Sequence, residues 1–301
     1  MSACADISSV QAIQAEERAC TTAPSRNVHR EIWRDGLHSS SERPVPEETP
    51  VAVVYDGSTY AVMMATPEDL EDFAIGFSLT EGVVRSAADI KSVDLVRSHN
   101  GVELRMWLAH SDSRRLSERR RHIAGPTGCG LCGIESLAES VRPAEIVGEG
   151  RKFTPRQIMV AMQSILPLQK LNIETRAVHA AAFWQSSCGV VALREDVGRH
   201  NALDKLAGAL SRDGVAANDG IVVLTSRVSV EMVQKTSMIG ASVIVSVSAP
   251  TALAVRVADH AGITLAAIAR ADGFEVFTRG DRISSDHLAD VDLPDTSHRN
   301  L

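Results

Sequence analysis

At 301 residues, 44% of them hydrophobic and 23% charged, the chain has the composition of an ordinary globular protein and the length for two domains with separate cores. Its formal charge of −7 argues against a general nucleic-acid binder, and no apolar run is long enough to span a bilayer. With aromatics at 4%, the cores must rest on Val, Ile, Leu and Ala.

Residues 1–48 are polar and small, and read as a disordered tail whose apolar content cannot offset the entropy of ordering it. The start lacks the basic end and apolar stretch of a signal peptide, so a cytoplasmic location is expected. Residues 49–110 read as a small α+β domain. Val51–Tyr55 and Thr59–Met64 flank Asp56-Gly57 as a hairpin. Thr66 with Pro67 and the acids Glu68, Asp69 and Glu71 predict a capped helix running to about Glu81, followed by strands near Val93–Val96 and Val102–Leu108.

Residues 111–133 form a basic loop, Arg114-Arg115-Leu116-Ser117-Glu118-Arg119-Arg120-Arg121-His122, leading into Gly128-Cys129-Gly130-Leu131-Cys132-Gly133. The chain has five cysteines, at 4, 20, 129, 132 and 188, an odd set without a disulfide framework. In a reducing compartment a Cys-x-x-Cys pair is reactive or metal-binding rather than structural. Neighbouring positive charge favours the thiolate, which is both nucleophile and ligand. Four readings stand side by side: half of a zinc site, a thioredoxin-like redox pair, an inert pair, and a persulfide-bearing pair on an exposed loop. Zinc is short of ligands, because no second pair exists and Cys188, His122 and His179 have no familiar spacing. The persulfide reading is favoured. Without further information the arginines themselves read as an ordinary solvated charge run.

Residues 134–283 read as an α/β domain, and 284–301 as a second tail. Ile134–Val141 is expected as a short helix, and Thr154-Pro155 opens another through Leu166. Ala177–Trp184 and Gly189–Leu193 are expected strands. A regular alternation follows: helix Arg199–Leu210, strand Ile221–Thr225, helix Ser229–Ile239, strand Ser242–Val247, helix Pro250–His260, strand Ile263–Ala269. Such units argue for a mostly parallel sheet covered by helices, with ligands beyond the carboxyl ends of its strands. The residues following those ends are Arg194-Glu195-Asp196, Ser226-Arg227, Ser248 and Arg270-Ala271-Asp272-Gly273, a set suited to a phosphorylated, nucleotide-like ligand. Ordinary capping and salt-bridging is the competing reading for each of them.

Gly128–Gly133 and the run Arg194-Glu195-Asp196-Val197-Gly198-Arg199-His200-Asn201-Ala202-Leu203-Asp204-Lys205 together resemble the FdhD/NarQ family of sulfur carriers for formate dehydrogenase maturation. Ser226–Lys235, Ser248–Thr251 and Gly76–Gly82 extend the resemblance, which covers about 50–283. It implies a sulfurtransferase that takes persulfide sulfur from a cysteine desulfurase onto Cys129, with Cys132 as second catalytic cysteine. The sulfur is then passed to a molybdenum bis(molybdopterin guanine dinucleotide) cofactor, bound as substrate, before its insertion into the formate dehydrogenase apoenzyme. The family's cofactor-binding stretch corresponds in position to Ile268, Ala269, Arg270, Ala271, Asp272 and Gly273. No metal ion of its own, no nucleic acid and no membrane is implied; a homodimer is an open option. The alternative function is a non-catalytic chaperone that binds the cofactor and docks it. The resemblance also implies a cytidine-deaminase-like C-terminal domain. Zinc deaminase chemistry needs His-x-Glu and a later Pro-Cys-x-x-Cys, whereas this chain has His179-Ala180-Ala181 and no downstream pair. His200 and Asp204 lie i, i+4 on one helix and can pair.

Overall fold

The computed structural model describes residues 23–109 and 143–284. Strands β1 (Ser25–Arg34) and β2 (Leu37–Pro46) pair antiparallel along their whole length around Asp35-Gly36. Both turn residues have positive φ, 50° and 75°, as a tight two-residue hairpin turn requires. This ribbon corrects the expectation of a tail across 23–48. Its ladder, together with two anchors to a distant helix, replaces the missing apolar core: Arg43 Nη2 donates to the Thr175 carbonyl at 3.0 Å and Ser25 Oγ to Glu174 at 2.7 Å.

Strands β3 (Thr49–Tyr55), β4 (Ser58–Ala65), β5 (Ile90–Ser98) and β6 (Gly101–Leu108) form a four-stranded sheet in the order β4-β3-β6-β5. Alternate residues Val51, Val53, Tyr55, Leu104 and Met106 point to one face, where Leu70, Phe73 and Phe77 of helix α1 (Leu70–Thr80) complete a core. The helix begins later than Thr66-Pro67 predicts. Thr66 is fully buried and engaged elsewhere: its N–H donates to Asp196 Oδ2 at 3.0 Å and its Oγ1 accepts from Val197 N–H at 3.1 Å. A hydroxyl committed to another strand cannot cap a helix, and the cap position falls to Asp69 with φ 54°.

The remaining elements in chain order are α2 (Pro155–Ser164), α3 (Lys170–Thr175), β7 (His179–Gln185), β8 (Gly189–Asp196), α4 (Arg199–Arg212), β9 (Ile221–Leu224), α5 (Val230–Met238), β10 (Val243–Ser246), α6 (Ala252–Ala261), β11 (Thr264–Arg270) and β12 (Gly273–Thr278). Helix α2 opens with a reciprocal box in which Gln157 N–H donates to Thr154 Oγ1 and Thr154 N–H donates to Gln157 Oε1. The six strands lie in the order β12-β11-β10-β9-β7-β8. Strands β8 to β11 all run one way, but β7 sits among them reversed and β12 is antiparallel at the edge. The sheet is therefore mixed and not mostly parallel. The cause is local: β7–β8 and β11–β12 are joined by tight turns, which can only reverse direction. Alternation along β9 and β10 splits the core. Val222, Leu224 and Ile244 meet α4, α5 and α6 on one face, while Ile221, Val223, Val243 and Val245 meet α2 on the other.

Helix α1 is held between its own sheet and α4. At the crossing a Cβ on Gly76 would lie 1.7 Å from the Asp204 carbonyl oxygen, and one on Gly208 would lie 1.9 Å from that of Asp72. Backbone thus meets backbone, at a separation no other residue type permits.

Candidate functional site

Cys129, Cys132 and the arginine run lie outside the described residues, as does the expected helix at 134–141. Cys188, the free cysteine among the described residues, is exposed in the β7–β8 turn. The carboxyl ends of β8, β9, β10 and β11 share one edge, as the strand-end reading requires. Their side chains divide into two kinds.

The first kind is structural. Asp196 is completely buried and forms a 2.7 Å ion pair with Lys205, which is equally buried. Its Oδ1 also accepts from Gly198 N–H at 2.7 Å and Asn201 Nδ2 at 2.9 Å. Lys205 donates further to the Thr66 carbonyl at 3.0 Å, which ties the small sheet's exit to α4. Glu195 accepts from Leu171 N–H and Asn172 N–H at 2.9 and 2.8 Å, capping α3. Burial nevertheless pushes its carboxyl above the ordinary range, against those two bonds. Arg194 reaches Asp72 at 2.7 Å and Asp69 at 3.5 Å. For Arg194, Glu195 and Asp196 the expectation of ligand contacts gives way to capping and ion pairing, because each side chain's bonding capacity is taken up inside the fold. Beside them Pro67, Leu70, Arg97, Arg194 and Arg212 line a polar groove of about 320 Å³ at the join of the two sheets.

The pairing open to His200 and Asp204 is not made. Asp204 turns instead to Lys235 on α5, with contacts of 2.9 and 3.1 Å, and accepts from Thr80 Oγ1 at 2.6 Å. Lys235 further reaches Glu81 at 2.7 Å. Burial raises the Asp204 carboxyl to about 6 against the pull of Lys235, while Asp204 and Glu81 raise the Lys235 ammonium despite its burial.

The second kind is unsatisfied. One turn back on α4, His200 is only 6% exposed, and its Nε2 has no hydrogen-bond partner among the described residues. Across from it on α5, Glu231 Oε2 is also buried and unpartnered, 4.0 Å from that nitrogen. Arg199 Nε and Ser229 Oγ complete a set of four orphaned buried atoms at the first turns of the two helices. Burial, then the charges of Arg199 and Lys235, hold the His200 imidazole down at about 3, so it is neutral at physiological pH. His179, at the start of β7, is lowered by burial and by Arg199. Neither helix start is capped by a side chain: Gly198 has none, and Ser229 makes no cap bond. By contrast Thr251 caps α6 by accepting from Ala254 N–H at 3.2 Å. Glu231 is missed by motif reading, although His200/Asp204 and Glu231/Lys235 share an i, i+4 spacing that can set two helices face to face.

Ile268–Gly273 forms the end of β11 and its turn into β12, where the ladder shifts register between Ala267 and Arg270. Ile268 has φ 52°, which is strained by roughly 1–3 kcal/mol for a β-branched residue. Its N–H donates to the Ser248 carbonyl at 3.3 Å, and Arg270 and Asp272 are exposed. The loops along this edge are stitched together. Val228 N–H donates to the Ala249 carbonyl and Thr251 N–H to that of Val228, so a continuous rim links Ser229 to Ile268. Among the described residues, no cluster of three or more His, Cys, Asp or Glu side chains is placed to hold a metal ion, and no helix is long and apolar enough to cross a membrane.

A sequence model of the FdhD/NarQ family matches residues 46–284. A protein named sulfur carrier protein FdhD from Agrobacterium fabrum is 51% identical over 262 residues, 87% of this chain and 97% of that protein. Its namesake from Cupriavidus necator is 48% identical over 251 residues, 83% of this chain and 87% of that protein. A crystallised chain from Desulfotalea psychrophila, described as a formate dehydrogenase accessory protein, superposes with a TM-score of 0.69 at 24% identity, covering 87% of this chain and all of that one. That likeness is one of fold.

Proposed function

This chain belongs to the FdhD/NarQ family, and we propose that it is a sulfurtransferase that serves formate dehydrogenase in the cytoplasm. In this reading the Cys129 thiolate attacks the outer sulfur of a cysteine desulfurase persulfide. A sulfur–sulfur bond forms on Cys129 as the bond in the donor breaks, and the donor cysteine leaves as thiolate. Cys132 assists or resolves the persulfide. The sulfur then passes to a molybdenum bis(molybdopterin guanine dinucleotide) substrate bound along the strand-end rim, with Ile268–Gly273 among its contacts, before insertion into the apoenzyme.

One observation carries the proposal: identity of about half, over nearly the whole length, to proteins named as sulfur carriers. The chemistry of this chain agrees with it. An unperturbed thiol with a pKa of about 8.5 is only a few per cent ionised at neutral pH, and a run holding five arginines within eight residues raises that fraction if it lies nearby. Incubating the protein with a cysteine desulfurase and cysteine should add the mass of one sulfur, and Cys129→Ala should abolish the gain. A wild-type protein that gains no sulfur overturns the proposal in favour of cofactor binding without transfer.

A further inference from the structure

We infer that strand β1 of the N-terminal ribbon is the docking edge for an extended acidic segment of a partner protein, added as a third strand. Among the described residues the ribbon pairs with no other sheet. It is tied to the rest of the fold near its base, by Arg43 and Ser25. Beyond those anchors Trp33 and Leu37, on either side of the turn, are 70% and 75% exposed. A two-stranded ribbon standing alone is marginal in water, and a third strand is what ordinarily steadies it. The two edges are not equivalent. Proline has no N–H to give, so Pro44 and Pro46 occupy positions of β2 whose N–H would point away from β1. Alternation along the register then turns the backbone groups of Asn27, His29, Glu31 and Trp33 outward on β1, since their partners are Pro44, Glu42, Ser40 and His38. None of those outward groups is hydrogen-bonded among the described residues. The β2 edge is thus blunted at its base by prolines, whereas the β1 edge is open.

The side chains select the strand that fits. Residues opposite one another in the register share a face, so one face carries Arg26, Val28, Arg30, Ile32 and Arg34, with Arg43 opposite Val28. The acids Glu31 and Glu42 both fall on the other face, with His29 and His38. Charge is therefore sorted by face, arginines on one and carboxylates on the other. Arg26 leans on Glu47 at 3.2 Å and Arg30 on Ser41 Oγ at 3.1 Å, while Arg34 makes no hydrogen bond or ion pair among the described residues. A strand laid along β1 brings its own same-face residues beside this row. Acids at every fourth position, with an apolar residue midway, set a carboxylate beside each arginine and an aliphatic side chain beside Val28 and Ile32. A second copy of β1 is disfavoured, because it would crowd its own arginines against Arg26, Arg30 and Arg34. Backbone bonds to the open edge attract any extended chain, and the arginine row makes the choice among them.

The test is fluorescence anisotropy of the full chain with a labelled peptide, Glu-Thr-Val-Thr-Glu-Thr-Ile-Thr-Glu, and with its counterpart carrying Lys for every Glu. At low ionic strength wild type should bind the acidic peptide about tenfold or more tightly than the basic one. Arg30→Glu combined with Arg34→Glu should weaken the acidic peptide by about tenfold and turn the preference toward the basic one. His29→Pro removes an outward N–H and no bond within the ribbon, as Pro44 and Pro46 already do on β2, and should weaken the acidic peptide by about tenfold. A wild type that binds neither peptide, or both alike, overturns the inference. So does a His29→Pro protein of unchanged affinity, which would mean loose charge attraction and not an added strand. Capture of phosphatidylglycerol vesicles in place of the peptide overturns it in favour of a lipid surface, and a dimer lost in His29→Pro in favour of a second copy. Peptide binding is read without sulfur donor or cofactor, so its outcome and that of sulfur loading on Cys129 are separate.

Discussion

Two polar pairs join α4 to α5 one turn apart, Asp204 with Lys235 and His200 with Glu231, and they are finished differently. The inner pair is closed, with Thr80 and Glu81 of the small sheet's helix region adding to it, so three elements share one buried charge cluster. The outer pair is open at 4.0 Å. The same helices and the same spacing thus yield a clasp in one turn and an unclosed pair in the next. Two opposite charges draw the inner rung together, whereas the outer rung sets a neutral imidazole against a carboxylate and gains less from closing.

The sharpest way to break this contrast is to remove one partner from the closed rung. Lys235→Met leaves Asp204 buried without its cation and should lower unfolding stability by about 3–5 kcal/mol in a denaturant titration. Combining it with Asp204→Leu should recover most of the loss, because an apolar pair of similar volume avoids the desolvation of two ions. A Lys235→Met protein as stable as wild type would mean that the clasp does not hold the two sheets together.

The next effect is on the dependence of stability on pH. His200 binds a proton near its ordinary 6.5 when unfolded but near 3 when folded, so the unfolded state holds more protons in between. Stability is therefore complete above pH 6.5 and falls toward pH 3, by up to about 5 kcal/mol from this residue. Asp204 acts in the opposite sense between about 4 and 6, since its folded value of about 6 exceeds the ordinary 3.8. The difference between wild type and His200→Asn, followed by unfolding across that range, isolates the histidine. Parallel curves would contradict its burial as a neutral ring.

The smallest effect expected is that of Glu231→Gln on unfolding. Oε2 makes no hydrogen bond among the described residues, so stability should change by less than about 1 kcal/mol. A loss as large as that of Lys235→Met would make the outer rung a second clasp.

Much of the C-terminal architecture is legible in the sequence. The apolar period of Leu203, Leu206, Ala207 and Leu210 and the runs Ile221–Leu224 and Val243–Ser246 mark α4, β9 and β10. Strand direction is less so, because a short turn such as 186–188 reverses the chain without altering the apolar pattern that marks β7 and β8. The ribbon at 25–46 does carry a local signal, Asp35-Gly36, of the same kind as Asp56-Gly57, but its flanks are polar and its anchors at Glu174 and Thr175 lie outside any local window. At the site, the Arg194-Glu195-Asp196 motif is conspicuous but its side chains serve the fold. Glu231 is inconspicuous because its role depends on a histidine 31 positions away, and only the helix pairing brings the two within reach.

The crossing of α1 over α4 at Gly76 and Gly208 also fixes an order of events. Synthesis runs from the N-terminus, and the Thr80 hydroxyl of α1 is completed by Asp204, 124 residues later. At about 5–20 residues per second, roughly 6–25 s pass between the two on a ribosome. Once β6 is complete at Leu108 the four-stranded sheet can close over Leu70, Phe73 and Phe77, while the glycine face of α1 still has nothing to rest on. The N-terminal half is thus born with an unfinished side, and the arrival of α4 is the step that ends its exposure.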